Sequence, residues 1–166
     1  GNDFNSEFFS NEKQFRVGKF TITVIPSIYK ESSSQWSDTI VTSCKSICDK
    51  NVYRYEIHPG SDRVKIILSS DQCYIAIVCE SQWYEDLYIF DVPHLKKIAS
   101  FEGINYVDGA SEGFFHGNVF YTMPTFSFEG GCGGLRRVCL ETGKIETLFP
   151  PSFFDGLNIW LTPKPE

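Results

Sequence analysis

The sequence lacks most of the signatures that announce an activity. No run approaches the roughly 18 consecutive apolar residues of a membrane-spanning helix, so no helical membrane span is expected. No basic stripe is present either, the densest cationic spots being the pairs Lys96-Lys97 and Arg136-Arg137 in a chain of formal net charge −6. A phosphate-binding surface carries a basic excess, so nucleic acid is not expected as a partner. The mild acidity suits solubility and, more specifically, a basic protein partner. A serine hydrolase would show a Gly-x-Ser-x-Gly elbow, and there is none. Nor does any spacing single out a carboxylate pair among the 21 acids. Cys44 and Cys48 stand four apart, but a closed zinc site needs a second close-spaced ligand pair. Cys132 and Cys139 are seven apart and His58, His94 and His116 are scattered, so neither metal nor cofactor is expected.

What is present begins with size and apolar content. The chain has 166 residues, 42% hydrophobic and 16% aromatic, enough for the packed core of a single domain spanning residues 1–166. Its most informative pattern occurs three times: one strand-like run, a variable stretch, then two strand-like runs joined by a turn. The three units are 20–25 with 52–57 and 64–68, 73–79 with 87–91 and 97–101, and 119–123 with 135–140 and 144–148. Internal recurrence of a short β unit points to a meander whose variable loops gather at one end. Thr21 and Thr23 alternate with Ile22 and Val24, and Arg54 and Glu56 alternate with Tyr53, Tyr55 and Ile57, as in strands with one wet face. The runs 73–79 and 87–90 are almost continuously apolar, as in central strands covered on both faces. Turn residues His58-Pro59-Gly60-Ser61-Asp62 predict a hairpin over 52–68. Between the first two runs, Trp36, Ile40, Val41, Cys44, Ile47 and Cys48 fall at spacings of three and four, which predicts a helical insertion over 32–50 capped by Ser34 or Ser37. Residues 1–13 read as a flexible N-terminus. The expected class is all-β: an open blade-like antiparallel meander or two packed curved sheets, built from these nine runs, with one inserted helix.

Six cysteines, Cys44, Cys48, Cys73, Cys79, Cys132 and Cys139, favour an oxidising compartment. The chain opens on Gly1 and a polar stretch of the kind that follows a signal or lipoprotein cleavage site. A periplasmic or secreted protein is therefore expected, lipid-anchored if the site is of the lipoprotein kind. Strand polarity places Cys79, Cys132, Cys44 and Cys48 at the loop end and Cys73 with Cys139 at the other. A straight strand from Cys73 to Cys79 spans roughly 20 Å, too far for a bridge between them. The expected disulfide is Cys73 with Cys139, the other four cysteines pairing among the loops.

The loops are rich in aromatic residues: Trp36 in the first, Trp83 and Tyr84 in the second, Phe126 and Phe128 in the third, the last beside Gly130 and Gly131 in a glycine-rich stretch. Aromatics anchor protein interfaces and stack on sugars, so these seven residues form the predicted partner-binding set. The leading expectation is a non-catalytic protein-binding module, in which a loop such as 125–134 occludes a partner's cleft. A cell-wall or carbohydrate binder using Trp36 and Trp83 is the competing class. A cysteine hydrolase with Cys132 as nucleophile and His116 as base is the third.

Two resemblances complete the reading. The run Ser69-Ser70-Asp71-Gln72-Cys73-Tyr74-Ile75-Ala76-Ile77-Val78, followed by Leu87-Tyr88-Ile89-Phe90-Asp91 and Lys97-Ile98-Ala99, resembles a β-propeller blade, and Leu140-Glu141-Thr142-Gly143-Lys144-Ile145 resembles the same blade's closing turn. Three units are fewer than the four or so blades of a closed propeller, which implies an open arrangement. In general character the chain resembles the periplasmic immunity proteins that block peptidoglycan-cutting effectors of type VI secretion. That resemblance implies a secreted hydrolase as partner.

Overall fold

The computed structural model describes residues 7–46, 48–58, 61–81, 85–103, 108–124 and 133–155. The fold is all-β, with fourteen strands in four antiparallel sheets and one short helix among the described residues. Three of the sheets are four-stranded meanders that follow one another along the chain. Sheet I holds β1 (Lys13–Val17), β2 (Phe20–Ile25), β5 (Thr39–Cys44) and β6 (Tyr53–Ile57) in that order. Sheet II holds β7 (Arg63–Leu68), β8 (Tyr74–Glu80), β9 (Glu85–Asp91) and β10 (Lys96–Phe101). Sheet III holds β11 (Gly113–His116), β12 (Val119–Thr122), β13 (Leu135–Cys139) and β14 (Ile145–Phe149), followed by α1 (Pro151–Asp155). A two-stranded hairpin, β3 (Tyr29–Lys30) with β4 (Gln35–Trp36), projects between β2 and β5.

Sheet II lies between the other two, and its sequence shows why. Val64 to Ile67, Ile75 to Cys79 and Leu87 to Phe90 are all buried, because one face of each strand packs on sheet I and the opposite face on sheet III. Val64, Ile66, Ile75, Ile77, Tyr88 and Phe90 meet Ile22, Val24, Val41 and Ile57 of sheet I. Ile67, Ala76, Val78, Leu87 and Ile89 meet Phe120, Val138 and Leu140 of sheet III. Each fully buried large side chain contributes roughly 1.5–3 kcal/mol, so the two cores supply most of the stability. The outer sheets alternate instead: in β2 only Ile22 and Val24 are buried, and in β5 only Thr39, Val41 and Ser43.

The structure corrects several expectations. Residues 32–50 form no helix over their described part; they form the end of the β3–β4 hairpin and β5. Thr39-Ile40-Val41-Thr42 are four β-branched residues in a row, which crowd a helix and fit a pleated surface. The spacing of three and four among the apolar residues was coincident with a period of two in β5. The hairpin expected over 52–68 is not one either, since β6 pairs with β5 and β7 with β8. Turn chemistry at 58–62 marks the reversal but not the pairing; β7 belongs to the covered middle sheet, with Val64, Ile66 and Leu68 in the core against sheet I and Ile67 in the core against sheet III, beside a Lys65 that pairs with Glu112. The nine runs correspond to strands, but β1, β3, β4, β5 and β11 make the total fourteen. Ahead of β1, Phe9 bridges Val64 of β7 through two backbone hydrogen bonds of 2.8 and 3.0 Å.

No disulfide joins the described cysteines. Cys44, Cys48, Cys73, Cys79 and Cys139 are free thiols, so the expected bridge from Cys73 to Cys139 is not formed; Cys132 lies outside the described residues. Cys79 is buried between sheets I and II, and Cys44 ends β5 opposite Thr21, at the end of the molecule away from Trp36.

Candidate binding surface at the loop end

Antiparallel register sorts the connections by end. At one end lie the short turns Gly18-Lys19, Ser69 to Cys73 and Gly117-Asn118, with Cys44, Cys48 and Cys139 alongside. Gly18 takes a positive φ of 59° in the first of these turns and donates its N–H to the Gln72 side chain at 2.6 Å, which aligns sheet I with sheet II. At the opposite end, the chain leaves β2 at Ile25 for the hairpin, passes from β6 to β7 through Ser61, leaves β8 at Glu80 and enters β9 at Glu85, and leaves β12 at Thr122 and enters β13 at Leu135. The second and third variable segments thus both leave and re-enter their sheets at this end; the first, 26–51, leaves β2 here but contains β5 and enters β6 at the turn end, which corrects the expectation that all three loops, with Cys44 and Cys48, share one end. Trp36 belongs to the loop end. Trp83, Tyr84, Phe126, Phe128, Gly130 and Gly131 fall outside the described residues.

The hairpin is the feature of this end that carries chemistry. Tyr29 pairs with Trp36 and Lys30 with Gln35, and the turn Glu31 to Ser34 closes with Ser33 N–H donating to Lys30 O at 3.2 Å and Ser34 N–H to Glu31 O at 3.3 Å. Ser34 adopts a left-handed φ of 54° there. The rings of Tyr29 and Trp36 meet at 5.3 Å with a tilt of 53°. Yet neither ring is covered: Trp36 is 50% exposed, Tyr29 46% and Ile28 62%. A two-stranded ribbon holding three large apolar side chains in water gains little by itself and suits an anchor for a partner.

Its foot, by contrast, is rigid and buried. Ser27 and Thr39 share a hydroxyl hydrogen bond of 3.1 Å, Thr39 Oγ1 donates to Ser61 O at 3.2 Å, and Ser27 N–H donates to Ser61 O at 2.9 Å. Ser61 Oγ donates to Glu80 O. All three hydroxyl residues are buried, so the network fastens the hairpin to sheets I and II and presents the Tyr29–Trp36 pair next to a fixed base. Sequence reading found Trp36 but missed Ile28 and Tyr29, because it placed Trp36 on a helix. The signal was there: Ser-Ser-Ser between Tyr29 and Trp36 is turn composition flanked by strand formers.

The other predicted chemistries do not assemble among the described residues. His116 ends β11 at the turn end, and Cys132, its partner in the cysteine-hydrolase expectation, lies outside the described residues. Cys44 and Cys48 find no second ligand pair. His58, at the loop end, instead faces two carboxylates, Asp38 and Glu56. An open groove of about 280 Å³ at the turn end is lined by Tyr74, Asp91, Lys96, Lys97 and Glu141, among others. It mixes charges of both signs and contains no nucleophile paired with a base. Burial pushes the Glu85 and Asp86 carboxyls at the start of β9 up, and burial lowers the Arg136 guanidinium of β13. These groups hold structure. Asp86 accepts the Gly103 N–H at 2.6 Å, and Arg136 donates to the carbonyls of Asp108 and Gly109 at 3.0 and 2.7 Å. Comparison with family models, with curated proteins and with solved structures finds no match to this chain.

Proposed function

We propose that the chain is a protein-binding module that seats the exposed side chains of the hairpin's strands, Ile28, Tyr29 and Trp36, in a cleft of its partner, as an inhibitor or immunity protein blocks a hydrolase. The observation that carries this reading is the exposure of three large apolar side chains on a ribbon whose foot is locked by buried hydroxyls. Interfaces concentrate their energy in such rigid aromatic anchors, where one truncation costs about 2 kcal/mol or more. The net charge of −6 favours a basic rim around the cleft. Carbohydrate binding is the weaker reading, because the 53° tilt between the rings makes a wedge rather than a flat platform for a sugar face. The test is quantitative affinity capture from native-host extract with wild-type protein and Trp36→Ala side by side, together with sedimentation on insoluble cell-wall glycan. One or a few proteins enriched by wild type and lost with Trp36→Ala, at unchanged melting temperature, is the expected result. Glycan sedimentation that depends on Trp36, with no protein so enriched, would replace this reading with the sugar binder.

A further inference from the structure

Three side chains at the base of the hairpin converge on the outer face of sheet I. Glu56 and His58 stand two apart at the end of β6, so they point to the same side of the sheet. Asp38 immediately precedes β5, one position beyond the paired residues Thr39 and Ile57, which sets it opposite His58. One donor atom from each of the three lies within 4.8 Å of the others. His58 Nδ1 contacts Asp38 Oδ1, and His58 Nε2 lies 3.7 Å from Glu56 Oε2. Arg54 Nε donates to the other oxygen of Glu56, Oε1, at 2.9 Å. That bond fixes the Glu56 carboxylate and leaves Oε2 turned toward the imidazole, the role an outer hydrogen bond plays around a metal ligand. The side chains are 31%, 42% and 64% exposed for Asp38, Glu56 and His58, so an ion can enter from solvent and keep water as its further ligand.

We propose that Asp38, Glu56 and His58 form a binding site for one divalent cation of the zinc class. One imidazole nitrogen and two carboxylate oxygens are a donor set that such an ion takes with bonds of about 2.0–2.2 Å, its donors then standing roughly 3–4 Å apart. His58 now meets Asp38 through Nδ1 and Glu56 through Nε2, so a single ion binds once the exposed side chains turn to bring both carboxylates to one imidazole nitrogen. Two carboxylates and a neutral imidazole also offset the ion's charge. Binding would clip the start of β5, where the hairpin rejoins sheet I, to the end of β6. The site stands on different residues from the exposed Ile28, Tyr29 and Trp36 and does not depend on the protein-binding proposal.

The test titrates Co²⁺ and then Zn²⁺ into the intact protein, following the visible cobalt bands and the melting temperature. The expected result is one equivalent of Co²⁺ bound with nitrogen and oxygen ligands, displaced by Zn²⁺, and a melting temperature that rises with metal. His58→Ala and Asp38→Asn should each weaken binding at least tenfold, while His94→Ala, which alters an exposed histidine beside Asp91 at the turn end, leaves it unchanged. A strong near-ultraviolet thiolate-to-cobalt band would place the metal on the cysteines. Either that band or binding that survives both His58→Ala and Asp38→Asn would overturn the assignment, as would no binding at millimolar metal.

Discussion

Sheets I and III follow the same four-strand plan and pack on opposite faces of sheet II, yet their outward faces differ. Sheet I turns Gln14, Arg16, Thr21, Thr23, Thr42 and Arg54 outward, a mainly polar surface with one apolar pair, Ile25 opposite Ile40, in which Arg16 reaches Thr21 at 3.4 Å. Sheet III turns out Phe114, stacked on Tyr121 at 5.3 Å, and its far edge adds Phe149 against Phe153 at 4.8 Å. Phe114, Phe149 and Phe153 are each about two-fifths exposed or more. One lesson concerns threonine: it has a strand former's branched carbon and a hydroxyl for water, so it finishes a sheet without asking for another layer. Aromatic residues on an outward face stay half-covered by one another. The inward faces of the two sheets are alike, both closing a dry core against sheet II.

The largest effect expected from this contrast separates inward from outward positions. Phe90→Ala, at a fully buried site between sheets I and II, should cost about 3–5 kcal/mol, whereas Phe114→Ala on the outward face of sheet III should cost less than about 1 kcal/mol. Urea unfolding of the two variants checks this. Equal losses would show that the outward face of sheet III is a core.

A second comparison sets the polar linkage of sheets II and III against the hydroxyl linkage of sheets I and II. Arg136 lies over the Phe101 ring at 4.3 Å and holds two carbonyls. Arg136→Ala should therefore cost about 2–4 kcal/mol, because it leaves buried acceptors unpaired and opens a cavity. Thr39→Val, which removes one buried hydroxyl but keeps the shape, should cost about 1–2 kcal/mol. Gly109→Ala should behave like Arg136→Ala, since its Cβ would strike the Glu85 carbonyl and crowd the Gly103 backbone at 2.7 Å. Unfolding midpoints rank these variants, and a Thr39→Val loss exceeding that of Arg136→Ala would reverse the comparison.

Acidity sharpens the same contrast. Burial raises the Asp86 carboxyl, opposed by the Gly103 N–H, and burial likewise raises Glu85, with Glu80 and Asp86 adding to it. The folded chain therefore holds these protons more tightly than the unfolded chain does. Their contribution is fullest at low pH and is lost as pH climbs from the unfolded carboxyl value of about 4 through the raised folded value. Asp86→Asn keeps an acceptor for Gly103 and removes the titration. Unfolding midpoints of this variant should show a shallower decline with rising pH than wild type, and an unchanged slope would remove Asp86 from the account.

The smallest effect is chemical. The Cys139 thiol is pulled down by the Thr142 hydroxyl and by the backbone N–H groups of Thr142 and Glu141, while Cys73 is pushed up by burial and by Asp71, and Cys79 by its burial in the core. Alkylation followed by mass spectrometry should modify Cys139 before Cys73 and leave Cys79 until the chain unfolds. A Cys73 that reacts first would overturn the order.

Composition and period alone determined that this chain is all-β, that 73–79 and 87–90 run through its middle, and that the second and third of its variable segments open at one end. These features are local or follow from alternation: a strand apolar on both sides has to be covered on both sides, wherever its neighbours come from. Tertiary structure decided the rest. It assigned β6 and β7 to different sheets, because a turn signal at 58–62 fixes a reversal and not a partner. It made β5 a strand, because four β-branched residues paired between β2 and β6 outweigh a helical spacing of apolar residues. It left the described cysteines apart, since pairing requires Cα atoms to meet across sheets whose order the sequence does not state. And it brought Asp38 to His58 across twenty residues by register, a distance in sequence over which no local pattern speaks.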